Sequence, residues 1–381
     1  MPFQCNNPNC LHIFHDDPII CPDCESHEFT LLDNVQLEHS FQQNLKLAGC
    51  GDADAIEKVV SAYIHGCGVE KDYKEAVYWA KRGSKQNIAY CWEVLGRAYQ
   101  MSRGDMEPDI QQALECYQKA VDNGLKRSSY YIARIMEHGN QNIPKDKKKA
   151  YSMMKDAAKT KFKPAVIRLG YYCESGIGCH RDYQKAVQCY RKYIKTDAFA
   201  CTRLGMLYAR GKGVKKNMKE AVHLYQQAAE KGYQEAQYLL GMAYLNGDVP
   251  NMDIEDGITW LMKADQNGEL RATTQLGIAY EVGIGVEPNM KAAMNYYRKA
   301  FLAGNTDAAY RLGLIHKKDV TSHQKAADYF AVGAEKDDAN CICGLADMIV
   351  EENNSPENMD KAKAYYKRAA ALGCAAAKQA I

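Results

Sequence analysis

The 381-residue chain holds no apolar run approaching the roughly 20 residues that span a bilayer, and its mean hydropathy is −0.48. A membrane-spanning role is not expected. The first residues, Met1-Pro2-Phe3-Gln4-Cys5, lack the basic stretch and apolar core of a secretory signal. Nor is there an excess of one charge: 49 Lys and Arg face 47 Asp and Glu, a net charge of +2. Such a balance makes no general case for nucleic acid or an anionic membrane as partner. No phosphate-binding glycine loop, dinucleotide fingerprint, nucleophile elbow or HExxH motif occurs. Lone histidines such as His223 fall within helical stripes, and no pattern gathers a nucleophile, a base and an orienting group. The chain is therefore expected to be non-enzymatic, with no catalytic residue.

What the chain does have is repetition. Ala200 to Gly232, Ala236 to Gly268 and Ala272 to Gly304 are three copies of one pattern. A small residue opens each copy, at Ala55, Cys91, Ser128, Ala165, Ala200, Ala236, Ala272, Ala308 and Ala339, in steps of 36, 37, 37, 35, 36, 36, 36 and 31. A fixed period of this length is the signature of a stacked repeat architecture, with eight or nine copies here. Each copy reads as two helices. In the first, small or apolar residues recur at the opening residue and at four, five and eight positions on, as in Ala200, Leu204, Gly205 and Tyr208. That spacing is one face of a 3.6-residue period. Glycine inside a helix costs about 1 kcal/mol against alanine, so its recurrence requires close approach of a partner helix. The first helix stops at glycines such as Gly176, Gly211, Gly247 and Gly283, and the second closes on Gly232, Gly268 or Gly304. The second helix carries its own stripe: Ala221, Tyr225, Ala228 and Ala229, or Ala293, Tyr297 and Ala300.

These residues, A-x-x-x-L-G-x-x-Y-x-x-G-x-G-V followed by A-x-x-x-Y-x-x-A-A-x-x-G, resemble the Sel-one-like repeat family, a cousin of the tetratricopeptide repeats. Gly211 to Val214 and Gly283 to Val286 carry the loop motif, and the resemblance extends over residues 37 to 381. It implies an all-α fold, a right-handed α/α superhelical solenoid, and a protein-binding scaffold with no shared catalytic residues. Residues 53–381 form the expected solenoid. Val35 to Cys50, with a stripe of Leu37, Phe41, Leu45 and Ala48, reads as an orphan second helix, so residues 34–52 are expected to cap the first repeat. The third copy, opening at Ser128, is worn.

Residues 1–33 differ. Cys5-x4-Cys10 is followed by Cys21-Pro22-Asp23-Cys24. Two cysteine pairs at this spacing suit tetrahedral Zn²⁺ held by four thiolates, with no open position for catalysis. The segment resembles a zinc ribbon, with Glu28 to Leu32 its last strand; too small to bury a core, it would take its stability from the metal. His12 or His15 could stand in for Cys10. No Lys or Arg occurs before residue 41, against Asp16, Asp17, Asp23, Glu25, Glu28, Asp33 and Glu38. Phosphate affinity comes from Lys and Arg, so a structural or protein-docking ribbon is expected rather than a nucleic-acid module. The other eleven of the fifteen cysteines do not recur at fixed repeat positions. With no secretory signal, that usage indicates a reduced, cytoplasmic setting.

Positions two and six past each opening residue lie off the packing stripe and are expected to be exposed on the concave surface. They include Glu57, Glu93, Ile167, Thr202, Thr274, Met206 and Leu314 beside Arg97, Tyr130, Arg134, Tyr171, Tyr238 and Tyr310. Tyr, Met and Arg are enriched in interfaces, and the latter six are the candidate partner-binding residues. Three past, Arg168, Arg203 and Arg311 form a second stripe suited to acidic partners. The leading expectation is a scaffold for a protein or peptide, able to self-associate through its C-terminal end. The alternative is a nucleic-acid-associated protein in which the ribbon makes the contacts and the solenoid recruits partners.

Overall fold

The computed structural model describes residues 3–5, 13–14, 29–31, 34–140, 142–248, 253–352 and 355–380. Twenty α-helices and three short strands occur among them. The chain divides into two compact units, one of residues 1–193 with 212–215, the other of 194–211 with 216–381.

At the start of the first unit, Phe3–Cys5 pairs antiparallel with Ile13–Phe14 on one side and Phe29–Leu31 on the other, Phe3 standing opposite both Phe14 and Leu31. The strand expected within Glu28 to Leu32 is found at Phe29–Leu31. Cys10, Cys21 and Cys24 lie outside the described residues. Helix Asn34–Gly49 follows. Leu37, Phe41 and Ala48 are buried, and Phe41 and Ala48 join the core of the first repeat, with Leu45 packed against it. Four antiparallel helix pairs then stack: Ala53–His65 with Tyr73–Ser84, Ala89–Met101 with Ile110–Asp122, Ser129–His138 with Lys147–Lys159, and Lys163–Ser175 with Tyr183–Arg191. The second unit stacks five more pairs, from Ala198–Arg210 with Met218–Glu230 to Ala339–Glu352 with Pro356–Ala371.

The recurring glycine has the packing cause that its helix cost demands. A Cβ on Gly96 would stand 2.6 Å from the Tyr117 ring, on Gly170 2.9 Å from Tyr190, and on Gly205 2.7 Å from Tyr225. Gly277 meets Tyr297 and Gly313 meets Phe330 in the same way. The ring from the second helix is thus a knob seated on bare backbone of the first. In the worn third copy the partner is the unbranched, buried Met154, and there the glycine position holds Ala133, also buried. Most of these tyrosines also anchor their hydroxyl: Tyr117 donates to Gln100 at 2.7 Å, Tyr190 to Glu174 at 2.9 Å and Tyr297 to Glu281 at 2.6 Å.

The loop between the two helices closes through the backbone. The N–H of the residue capping the second helix bonds the carbonyl eight past the opening residue: Asp109 to Tyr99 at 3.1 Å, Asp182 to Cys173 at 2.9 Å, Asn217 to Tyr208 at 3.0 Å and Asn289 to Tyr280 at 2.7 Å. The same Asp or Asn side chain accepts from an N–H of the first turn, as Asp109 does from Gln112. Gly178, the second loop glycine, sits at φ 68°, and a Cβ there would overlap the Lys147 carbonyl of the preceding repeat. Both its left-handed backbone and its contact exclude a side chain.

Two details of the expected register change. The first-helix stripe is more buried seven past the opening residue than eight past: Ala98, Tyr172, Leu207, Ala243 and Ala279 are buried, whereas Tyr99, Tyr208, Tyr244 and Tyr280 are half-buried, with Cys173 buried as expected. The last copy opens at Cys341 rather than Ala339. Cys341 is fully buried and Ala339 is not. Asp338 accepts from the Cys341 N–H at 2.9 Å as Asn305 does from Ala308 and Asp197 from Ala200, both at 2.9 Å. That places Leu345 and Ala346 at the fourth and fifth positions.

Gly96→Ala tests the seat. Propensity alone favours alanine by about 1 kcal/mol, but overpacking against Tyr117 costs about 1–3 kcal/mol. The variant is expected to lower the urea midpoint. Gly49→Ala, where a Cβ meets nothing within 4 Å, is expected to leave the midpoint unchanged or raise it.

Candidate functional site

The structure brings four of the six candidate partner-binding residues, Arg97, Tyr130, Arg134 and Tyr171, onto successive first helices of the first unit, all half-buried. Tyr238 and Tyr310 belong to the second unit. There Tyr238 lies under Arg271, the guanidinium carbon 4.6 Å from the ring centre, and Tyr310 packs 6.0 Å from the Phe330 ring.

In the first unit, Glu93 is nearly fully buried and takes the Arg127 guanidinium at 3.2 and 3.3 Å and the Ser128 hydroxyl at 2.6 Å. One repeat on, Glu137 takes both bonds of a single Arg168 nitrogen at 2.8 and 2.9 Å and the Tyr172 hydroxyl at 2.9 Å. Burial pushes the Glu137 pKa up, but the bonds and charge of Arg168 with the Tyr172 bond outweigh it and leave it below the ordinary carboxylate value. Aromatic rings run beside these pairs. Tyr131 stacks on Tyr117 at 4.9 Å, Tyr130 meets Tyr131 edge-on at 5.2 Å and Phe162 at 5.6 Å, and Arg168 lies 4.8 Å over Tyr171.

The cations here outnumber their direct partners. Arg134 reaches Glu137 only at 3.7 Å, on a carboxylate already bonded by Arg168 and Tyr172. The buried Nε–H groups of Arg134 and Arg168 have no hydrogen-bond acceptor among the described residues. Arg97 makes no ion pair among the described residues, and its charge is felt at the Tyr131 hydroxyl. Burial first, then Glu93, push that hydroxyl up to about 12, with Arg97 and Arg127 opposing. Glu57, on the preceding first helix, also feels Arg127; loss of hydration raises its pKa. The second unit is matched differently. Arg271 has Glu269 at 2.8 Å and Glu235 at 3.6 Å, Lys299 has Asp265 at 2.8 Å, and Arg311 has Glu281 at 3.4 Å.

These pairs correct two expectations. Arg168 and Arg311 are not a free stripe for acidic partners, because a glutamate of the preceding repeat holds each. Arg203 lies against the Phe199 ring and the Met206 sulfur. Positions two past the opening residue are mostly not exposed: Glu93, Ile167, Thr202 and Thr274 are buried, as is Met206 six past. They face the seam with a neighbouring helix, and Thr202 and Thr274 turn their hydroxyls onto Ala198 and Leu270 carbonyls of their own helix. Glu57 and Leu314 are exposed as expected. The residues that sequence reasoning missed are Arg127, Tyr131, Glu137 and Phe162, and it placed Glu93 on the exposed surface where the structure buries it in an ion pair.

An open cavity of about 630 Å³ elsewhere on this unit is lined by Cys173, Cys179, His180, Arg181 and Tyr183, among others. Burial pushes the Cys173 thiol up to about 12 and raises that of Cys179, so both stay protonated at neutral pH and are poor nucleophiles. Among the described residues no group of three or more His, Cys, Asp or Glu is placed to hold a metal, and no helix is long and apolar enough to cross a membrane.

Glu137→Gln leaves two arginines beside a neutral amide. Loss of charged hydrogen bonds of this kind costs about 1.5–3 kcal/mol each at most, so the variant is expected to unfold at clearly lower urea. Because the folded-state pKa of Glu137 is lowered, its contribution is complete above the unfolded carboxylate range and is lost as pH falls through the folded value. The gap between wild type and variant is therefore constant near neutrality and closes below about pH 4.5, the ordinary value. A gap that persists to pH 2 contradicts the assignment.

Nine segments, residues 61–88, 94–125, 127–159, 163–192, 198–233, 234–264, 270–305, 306–338 and 341–374, match the model of the Sel1 repeat. The ninth begins at Cys341, as the structure does. A solved Sel1 repeat protein from Oxalobacter formigenes is 26% identical, with 75% of this chain and 82% of that chain covered and a TM-score of 0.55. DAP3-binding cell death enhancer 1 of Rattus norvegicus is 28% identical over 168 residues, 34% of this chain and 32% of its own length. The Mus musculus protein of that name is 28% identical over 172 residues with the same coverage. The chain thus spans about a third of the length of these curated relatives. With nine matched repeats over most of its length, the chain belongs to the Sel1 repeat family.

Proposed function

We propose that the chain is a non-enzymatic, cytoplasmic protein–protein interaction scaffold that binds a protein or peptide along the first helices of residues 53–193. The observation that carries this reading is the row of half-buried arginines and tyrosines from Arg97 to Tyr171, whose charge the unit does not fully neutralise. Rigid aromatic and arginine side chains of this kind dominate interface energetics. The repeat fold supports the class of partner, and the curated relatives are named for binding another protein, DAP3. The right-handed winding implied by the family would place this row on a concave side.

In the same reading, residues 1–33 are a zinc ribbon acting as cap or second docking site, residues 34–52 the joint, and residues 53–381 the solenoid. Cys5, Cys10, Cys21 and Cys24 would hold one structural Zn²⁺; four thiolates satisfy its tetrahedral preference and leave no position for substrate. Cys5 closes the described strand Phe3–Cys5. The lack of Lys and Arg before residue 41 argues against nucleic acid as the ribbon's ligand.

Two measurements test this. Elemental analysis of the purified chain is expected to give one zinc per chain, lost in the Cys21→Ser/Cys24→Ser variant. A protein captured by the intact chain and confirmed as a direct binder with purified components is expected to lose about 30-fold or more in affinity on Tyr130→Ala/Arg134→Ala, the scale of hot-spot truncation. Absence of zinc removes the ribbon, and a partner indifferent to the double variant removes the binding face.

A further inference from the structure

The partner chemistry follows from the charges along this row, and the inference rests on the scaffold reading. We infer that the first helices of residues 89–175 take an extended acidic peptide whose carboxylates fall about three residues apart.

Three observations lead there. First, the surplus is cationic and local. Glu93 is engaged by Arg127 and Ser128, and Glu137 by Arg168 and Tyr172, whereas Arg97 has no ion-pair partner among the described residues and Arg134 stands 3.7 Å from a carboxylate already occupied. Glu57 faces the Arg127 end and does not pair with Arg97 or Arg134. Carboxylates are the natural complement, because the guanidinium fork binds them bidentately. Second, the cations are held rather than free to wander. Arg97 and Arg134 are half-buried, the side chain of Arg134 being 37% exposed, while that of Arg168, 23% exposed, lies over Tyr171. Less rotamer entropy is lost on binding by groups so confined. Third, three cations of the second unit are matched: Arg271 stands between two glutamates and Lys299 and Arg311 each have a carboxylate.

The spacing comes from the repeat. Arg97 and Arg134 occupy equivalent positions, six past Cys91 and Ser128, on successive first helices. The carboxylate of Glu93 on one first helix takes the hydroxyl of Ser128, just before the next, so the two helices lie about one helix diameter apart, roughly 10 Å. A polyproline-type extended chain advances about 9 Å per three-residue turn, so side chains at i and i+3 point the same way and reach successive arginines. The tyrosines between them supply flat apolar surface for the intervening residues.

The test uses the full-length chain and fluorescein-labelled twelve-residue peptides read by anisotropy at two salt concentrations. One peptide carries Glu at every third position, one carries the same residues with the Glu in a contiguous block, and one replaces each Glu by Gln. The spaced Glu peptide is expected to bind at least tenfold tighter than the Gln peptide, to weaken with salt and to beat the block. Arg97→Gln/Arg134→Gln is expected to remove that preference while Arg298→Gln, on an exposed residue of the second unit, keeps it; circular dichroism melts confirm that both variants fold. Equal binding of Glu and Gln peptides, no binding of any, loss only with Arg298→Gln, or a preference confined to a phosphoserine peptide or an RNA oligonucleotide overturns the inference. A confirmed protein partner that needs Tyr130 but ignores Arg97→Gln/Arg134→Gln leaves the scaffold standing and removes only its acidic ligand.

Discussion

The pairing of helices in five of the repeats depends on an aromatic ring resting on bare helix backbone. Where the fifth position of a first helix is glycine, the second helix can approach until a side chain touches the chain itself, a ring in five repeats, as Tyr117 does at Gly96 and Tyr225 at Gly205, and Leu261 at Gly241. The contact fixes the separation and rotation of the two helices together. It leaves the flanking alanines, such as Ala113 and Ala120, or Ala221 and Ala228, fully buried. Larger side chains there would lift the ring from its seat. The cost of a helical glycine is about 1 kcal/mol, while burial of a whole tyrosine ring against close-packed neighbours contributes more than that. The hydroxyl of a fully buried ring then needs an acceptor, and Gln100, Glu174 and Glu281 provide it. Glycine, ring and polar acceptor are one device in three residues.

The second level of order, between repeats, rests on backbone proximity and charge. Gly178 lets one loop press on the start of the previous second helix. Glu93 and Glu137 reach forward to the next first helix and lock to Arg127 with Ser128 and to Arg168 with Tyr172. A buried ion pair contributes little net stability, because desolvation of both charges offsets their attraction. Its absence when mispaired is costly, so such a pair specifies which surface meets which. Apolar stripes alone would tolerate sliding of one repeat over the next; a buried carboxylate with one set of donors does not.

The pair fold was legible because it is written in small residues at fixed intervals, and the physical meaning of an interior glycine can be read without a structure. The stacking was not, for a different reason. Ion pairs such as Glu137 with Arg168 join residues 31 apart, and no local periodicity announces them. The positions two past each opening residue looked free because they lie off the stripe facing the second helix; the neighbouring helix covers them from the side, so Glu93 and Thr202 are buried. The half-burial of Arg97, Tyr130, Arg134 and Tyr171 has the same origin. Two-residue slippage at Ala339 arose from judging by residue size alone, when the cap at Asp338 sets the register.

The worn third repeat shows how a surface site can emerge from such a lattice. Gln100, Glu174 and Glu281, nine past their opening residues, each satisfy the tyrosine of their own second helix. Glu137 holds the same position, but its second helix offers Met154, which has no hydroxyl to donate. Its carboxylate is therefore released from its own repeat and is taken by Arg168 and Tyr172 of the next. That single replacement draws Arg168 over Tyr171 and leaves Arg134 sharing an acid with no bond to spare. Glu281, whose repeat keeps its tyrosine, serves both Tyr297 and Arg311 and reaches the arginine at 3.4 Å, against 2.8 Å for Glu137 and Arg168. The degeneration of one copy thus fixes a cationic, aromatic surface in place, and the regular copies on either side hold it rigid.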